Sequence, residues 1–213
     1  MDANLNKLLK WSVENSSTSL ADSDAPRTNS TLDPQLLAAL MGGPSDADLM
    51  KESMAAVLSS DPEITLDDKL IAFDNFEQLI ENLDNANNLA PLALWTPLID
   101  CLDHAEPEIR KMAAWCVGTA VQNNEKSQAK CLEMGGVPVL VKLATKQGEK
   151  SDVRKKAAYA LSSQVRNFQP ALDVCVEELG KNGVAVEKTD ASDMEAIDKI
   201  IGDLRESAAK SGA

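Results

Sequence analysis

The side chains in this chain best suited to nucleophilic or metal chemistry are one histidine, His104, and four cysteines, Cys101, Cys116, Cys131 and Cys175. Cys101 and His104 stand three apart, the pairing a cysteine hydrolase needs, yet nothing around either marks an activated thiolate. A single histidine excludes a multi-histidine metal site. No two cysteines form a C-x-x-C, which removes zinc and thioredoxin-type readings. Four cysteines in 213 residues are too sparse for a disulfide scaffold; they read as buried thiols in a reducing compartment. Neither G-x-x-x-x-G-K-[ST] nor G-x-G-x-x-G occurs, so nucleotide-binding enzymes of those types are excluded. Carboxylates are abundant, but abundance is not a paired acid–base site, and most belong on solvated helix faces. The sequence offers no catalytic residue, no cofactor and no metal, and it points away from an enzyme.

What the chain offers instead is surface. Its 34 acidic residues against 21 basic ones give a formal net charge of −13, which opposes binding to nucleic acid. The charge is segregated. Residues 61–109 carry twelve carboxylates against Lys69 alone, whereas Lys142, Lys146, Lys150, Arg154, Lys155, Lys156 and Arg166 face only Glu149 and Asp152. An acidic half and a basic half would orient a partner of complementary charge; the plainer alternative is solubility. In IAFDNFEQLIENLDNANNL (71–89) the apolar residues Ile71, Phe73, Leu79, Ile80 and Leu83 keep helical spacing, and the Asn and Asp residues then crowd the end. Asn and Asp compete with the helix for backbone hydrogen bonds and terminate it. The stretch is either a capped helix end with a loop or a polar rim that meets a partner. GTAVQNN (118–124) repeats that design one unit later.

These residues need elements to hold them, and composition narrows the choice. Hydrophobic residues are 44% of the chain but aromatics only 3%, so the core is aliphatic, which suits packed helices better than a β-sandwich. No segment alternates with period two, so no sheet is expected. Shifting the sequence by 41 places Lys69 on Arg110, Ala72 on Ala113 and Ile80 on Val121; shifting by 44 places Arg110 on Arg154, Trp115 on Tyr159, Val121 on Val165 and Asn123 on Asn167. A period of about 40–47 residues with helical spacing marks a HEAT or armadillo solenoid. Asp33-Pro34, Ser45, Asp61-Pro62, Thr65-x-x-Asp68 and Ser192-x-x-Glu195 read as helix starts, and Gly42-Gly43, Gly135-Gly136 and Gly183 as the turns between helices.

The expected fold is therefore all-α: a right-handed armadillo-type helical solenoid with a flexible N-terminal segment and a C-terminal helix. Residues 1–32 form the flexible segment, since NSSTSLADSDAPRTNST cannot bury enough apolar area to offset ordering entropy. Leu5, Leu8, Leu9 and Trp11 make one or two amphipathic turns within it. Residues 33–183 form the repeat domain. Residues 184–213 are a linker and an amphipathic helix that caps the open end of the stack. No apolar run resembles a signal peptide or the roughly 18 residues of a membrane span, so a cytoplasmic monomer with no membrane contact is expected.

LLKWSVENS (8–16), DPQLLAALMGGPSDADLMKESM (33–54), AFDNFEQLIENLDNANNL (72–89) and GTAVQNN (118–124) together closely resemble the fungal Fes-type proteins, cytosolic relatives of the HspBP armadillo family. The resemblance runs from about Leu5 to about Asn167. It implies a nucleotide exchange factor, a co-chaperone that embraces one lobe of the ATPase domain of the seventy-kilodalton heat-shock chaperone, strains the nucleotide cleft, speeds ADP release and so promotes client release. Such a factor binds no nucleotide itself, in keeping with the missing P-loop. The resemblance also implies chaperone contacts at Asp84, Asn85, Ala86 and Asn87, with Ala86 acting through its smallness. Ala86→Arg is then expected to abolish binding without unfolding the domain. Trp115 and Tyr159 join these on the concave face, the alternative for both being core packing. Leu5, Leu8, Leu9 and Trp11 suit the family's client-release segment; the alternative is an anchor folded back on the solenoid. Longer members continue with further repeats after the position of Asn167, where this chain ends in an acidic helix.

A second resemblance competes. AAWCVGTAVQNN is similar to the third helix of nuclear-import armadillo repeats, which grip an extended peptide with a Trp and an Asn four apart. Here Thr119 follows Trp115 at that spacing, and Ser163 follows Tyr159. The Asn ladder is missing, which weakens the reading of a peptide-binding adaptor without exchange activity.

Overall fold

Capping chemistry sets the helix boundaries in the computed structural model, which describes residues 43–210. The order is α1 (Asp46–Leu58), α2 (Leu66–Ile80), α3 (Leu83–Asn88), α4 (Trp95–Asp100), a 3-10 turn (Cys101–Asp103), α5 (Pro107–Val121), α6 (Glu125–Glu133), α7 (Gly136–Thr145), α8 (Ser151–Val165), α9 (Gln169–Lys181) and α10 (Met194–Lys210). No strand occurs among the described residues. The expected helix start at Asp33-Pro34 lies outside them.

Thr65 and Asp68 form the expected reciprocal box at the start of α2. The Asp68 amide donates to Thr65 Oγ1 at 3.2 Å, and the Thr65 amide donates to Asp68 Oδ2 at 2.9 Å. Two expected starts are corrected. Asp61-Pro62 opens a turn, with the Ile64 amide donating to the Asp61 carbonyl, because Thr65 supplies the stronger cap four residues on. At α10 the cap is Asp193, whose carboxylate accepts from the Ala196 amide at 3.0 Å, while the Ser192 hydroxyl is spent on Asp190.

The internal repetition has a physical basis in three cations. Lys69 donates to the Ser59 carbonyl at 2.7 Å, Arg110 to the His104 and Ala105 carbonyls at 2.6 and 2.7 Å, and Arg154 to the Ala144 carbonyl at 2.8 Å. In each repeat the cation near the start of the long helix satisfies carbonyls of the segment just before it. The other repeated feature is asparagine at the helix end. Asn123 and Asn167 both adopt left-handed backbone, with φ of 51° and 56°, a conformation asparagine tolerates better than most residues. Asn82 and Asn124 cap the helices that follow, accepting from the amides of Asp84 and Ser127.

The long helices α2, α5 and α8 form one layer, with α5 packed between its two neighbours. Phe73, Phe76, Trp95, Leu98, Leu140 and Leu161 are among the residues sealed in the shared aliphatic core. All four cysteines are free and buried, as the composition leads one to expect. Finally α10 packs on α8 and α7. Its Ile197, Ile201, Leu204 and Ala208, spaced at helical intervals, are buried, and Arg154 Nη2 donates to Ser207 Oγ at 2.9 Å.

Candidate functional site

Trp115 on α5 and Tyr159 on α8 are both half-buried and flank the ammonium of Lys156. Their approach depends on Gly118, one turn from Trp115. A Cβ there would stand 2.4 Å from Tyr159 Cε1 and 3.1 Å from the Ala160 Cα. The ring end can swing, but the Ala160 backbone cannot. Gly118→Ala is therefore expected to lower stability by about 1–3 kcal/mol through overpacking, measured by urea unfolding; an unchanged midpoint would show that α5 and α8 separate freely.

Polar partners fix the two rings. Tyr159 OH donates to Gln122 Oε1 at 3.2 Å. Lys156, one turn before Tyr159, holds its Nζ 3.7 Å above the Trp115 ring and 5.5 Å from the Tyr159 ring centre. Beneath them the buried Glu77 carboxylate of α2 accepts from Thr119 Oγ1 at 2.6 Å. Thr119 and Ser163 are the positions at which a peptide-gripping solenoid carries asparagine, and the Thr119 hydroxyl is already committed to Glu77.

The other candidate cluster takes a form the sequence does not predict. The asparagine-rich stretch is not a loop. It is the short helix α3, and its residues divide between two faces. Asp84 is exposed and Asn87 half-buried, but Asn85 and Ala86 are buried. Asn85 Nδ2 bridges the Asp46 carboxylate at 2.8 Å and the Leu79 carbonyl at 2.9 Å, tying α3 to α1 and α2. Ala86 is 2% exposed, and its carbonyl accepts from Ser127 Oγ at 3.4 Å. The free chain therefore packs Ala86 on its neighbours, and an arginine there would have to leave the core to reach solvent. Leu83, counted in the apolar spacing of the preceding helix, stands 57% exposed on α3, and Ile71 is exposed on α2. The break at Glu81–Asn82 shifts the helical register, which is why Leu83 turns outward.

Sequence reasoning also passed over Lys156 as a site residue. The signal was present, because Lys156 falls three residues before Tyr159 in a unit where Trp115 is the matching aromatic. A groove of about 510 Å³ between α1 and α2, lined by Leu49, Ser53, Ala56, Ala72, Asn75 and Leu79, was likewise not legible. Leu5, Leu8, Leu9 and Trp11 lie outside the described residues.

The thiols are held protonated. Burial pushes the Cys101 thiol up to about 11, and those of Cys131 and Cys175 up to about 12, the reverse of an activated nucleophile. Cys116 is raised as well, by burial first and then by the charge of Glu77. His104 is exposed, and its Nδ1 accepts from the Glu106 amide at 3.0 Å rather than from a thiol. No cluster of three metal-ligating side chains occurs among the described residues, and no helix among them is long and apolar enough to cross a membrane.

Comparison with known proteins places this architecture. Residues 5–89 match the family described as nucleotide exchange factor Fes1, and residues 85–193 match the SIL1/FES1/HPBP1 C-terminal domain. A Gibberella zeae protein named Hsp70 nucleotide exchange factor FES1 is 62% identical over 98% of this chain and 99% of its own length. A Neurospora crassa protein named Hsp70 nucleotide exchange factor fes-1 is 49% identical over 98% of this chain and 99% of its own. An Eremothecium gossypii relative, 46% identical over 83% of this chain, is matched along only 60% of its own length. Among solved structures, an engineered protein from the Northeast Structural Genomics Consortium shares the fold at a TM-score of 0.53 and 21% identity, over 84% of this chain and 72% of that one. Two consecutive family domains spanning residues 5–193, with relatives aligned nearly end to end, show that the chain belongs to the Fes1 family of nucleotide exchange factors within the SIL1/FES1/HPBP1 group.

Proposed function

We propose that this protein is an Hsp70 nucleotide exchange factor that binds the chaperone's ATPase domain and accelerates ADP release, so that ATP rebinds and the client leaves. The observation that carries the reading is the 62% identity to a protein of that name across 98% of this chain. The structure agrees with a role played by surface rather than by chemistry, since the thiols are held protonated and the conserved-period cations serve backbone carbonyls.

The mechanism is a population shift. The stacked helices act as a rigid body that fits the open lobe arrangement of the ATPase domain better than the closed one, and only that difference drives release. Coupling is reciprocal, so bound ADP weakens the chaperone's affinity for this protein by the same factor, about 5–150-fold for ordinary coupling energies. Asp84, Asn87, Trp115 and Tyr159 supply the contacts, while Asn85 and Ala86 hold α3 in place to present them. Residues 33–183 are the gripping domain and 184–213 close its end. Residues 1–32 act on the chaperone's peptide site through Leu5, Leu8, Leu9 and Trp11. The protein works as a cytosolic monomer and is not an enzyme, which suits four reduced, buried thiols.

Stopped-flow release of a fluorescent ADP analogue from a cytosolic Hsp70 tests the reading. The expected result is an acceleration that saturates with this protein's concentration. Binding with no acceleration would make it the adaptor of the second reading. Equal affinity with and without ADP would remove the population-shift mechanism.

A further inference from the structure

Most cations beside the long-helix layer already have carboxylate partners. Lys111 pairs with Glu108 and Asp152, Lys150 with Glu108, Lys142 with Asp103, Lys146 with Glu149, and Arg166 with Asp198. Lys156 differs. Among the described residues it forms no ion pair, and its ammonium rests over two aromatic faces instead. Lys155, its neighbour, is exposed and also forms no ion pair among the described residues.

The setting favours an incoming anion. The rings hold Nζ in place, so little side-chain freedom remains to be lost on binding. Their quadrupoles attract the cation but do not neutralise it. Half-burial strips part of its water, which pushes its pKa down, while the charge of Glu77 acts in the opposite sense. A carboxylate arriving here therefore meets an ordered, partly desolvated cation, and such pairs contribute far more than exposed ones. The chain as a whole carries 34 acidic residues against 21 basic ones, so an acidic side chain of a partner is repelled by the net charge and accepted at points such as this one.

We propose that Lys156, framed by Trp115 and Tyr159, is the residue that fixes the register of docking by receiving a carboxylate side chain on the chaperone's ATPase domain. This rests on the exchange-factor reading above.

The test is calorimetric titration of the full chain into full-length, nucleotide-free Hsp70 at low salt, with thermal melting of each variant. Lys156→Gln is expected to weaken binding about tenfold or more. Lys156→Arg, which keeps the charge and stacks on the same rings, stays within about threefold. Lys155→Gln, an equal change of net charge one residue away, stays within about twofold. Should Lys156→Gln melt lower than the native chain, Lys156→Met, which keeps the stem over the rings, takes its place. Lys156→Gln binding within twofold of the native protein would overturn the proposal, as would an equal loss in Lys155→Gln, which would indicate long-range attraction only. If the native protein does not bind Hsp70 at all, the exchange-factor reading falls and this assignment with it.

Discussion

Arg110→Ala is expected to lower the unfolding free energy by about 3–5 kcal/mol, the usual cost of stranding one member of a buried ion pair. Arg110 Nη2 lies 2.7 Å from Glu149 Oε1 and 2.6 Å from Oε2, with side chains 8% and 2% exposed. The same guanidinium satisfies the carbonyls of His104 and Ala105. Alanine would remove the guanidinium from both carbonyls and leave the Glu149 charge only the Lys150 amide, at 3.0 Å, and Lys146, at 3.3 Å and half in solvent. At about 2–4 °C per kcal/mol for a chain of this size, the melting temperature should fall by roughly 10 °C. The pair also confers a pH dependence. Burial pushes the Glu149 carboxyl up, but hydrogen bonds from Arg110, the Lys150 amide and Lys146 outweigh it and hold it below the ordinary glutamate value. A depressed carboxyl contributes stability above its unfolded value, and the contribution disappears as pH falls through the folded one. Acid should thus narrow the gap between native protein and variant. Chemical denaturation at neutral and acid pH measures both effects; a loss under about 1 kcal/mol at neutral pH would mean that water reaches Glu149.

Ala86→Arg is expected to destabilise the domain by about 3–5 kcal/mol, from overpacking together with the burial of an unpaired charge. Any loss of chaperone binding in that variant would be a folding effect as much as a contact effect. Asp84→Lys separates the two. Asp84 is exposed on the same short helix, so its reversal should leave melting within about 2 °C, since surface changes of this kind stay within about 0.5 kcal/mol, while weakening exchange. Melting curves beside ADP-release rates for both variants decide the matter. An Ala86→Arg protein that melts like the native chain would show that the arginine escapes to solvent and acts at the interface after all.

The contrast between these two sites shows what the sequence carries. The Lys69, Arg110 and Arg154 register was legible because each repeat imposes the same carbonyl problem on its following helix, and period survives drift in the surrounding residues. The shared register of Trp115 and Tyr159 was legible for the same reason. The burial of Ala86 was not, because a family pattern marks where a residue matters without saying whether it faces a partner or the core. Leu83 was missed because apolar spacing was read through Asn82, and a cap resets the helical phase; Ile71 lies beside the buried stripe of Ala72, Phe73, Phe76 and Ile80 and turns outward within α2 itself. The Ser192 cap failed by one residue, since Ser192 and Asp193 both reach the first turn and only the hydrogen bonding of Asp190 decides between them.

Each repeat cation reaches back five to ten residues to find its carbonyl, whereas the Arg154–Ser207 contact closes a span of 53. Contacts of short sequence separation form quickly, and those across long loops wait on chain closure. On the ribosome, then, each helical unit can dock onto the one before it as soon as it emerges. The seating of α10 on α8 must follow, after α9 and the segment beyond it have been made. Until that moment the edge of α8 remains open, so the interval between making residue 165 and making residue 208 is the time at which the nascent chain itself most resembles a client.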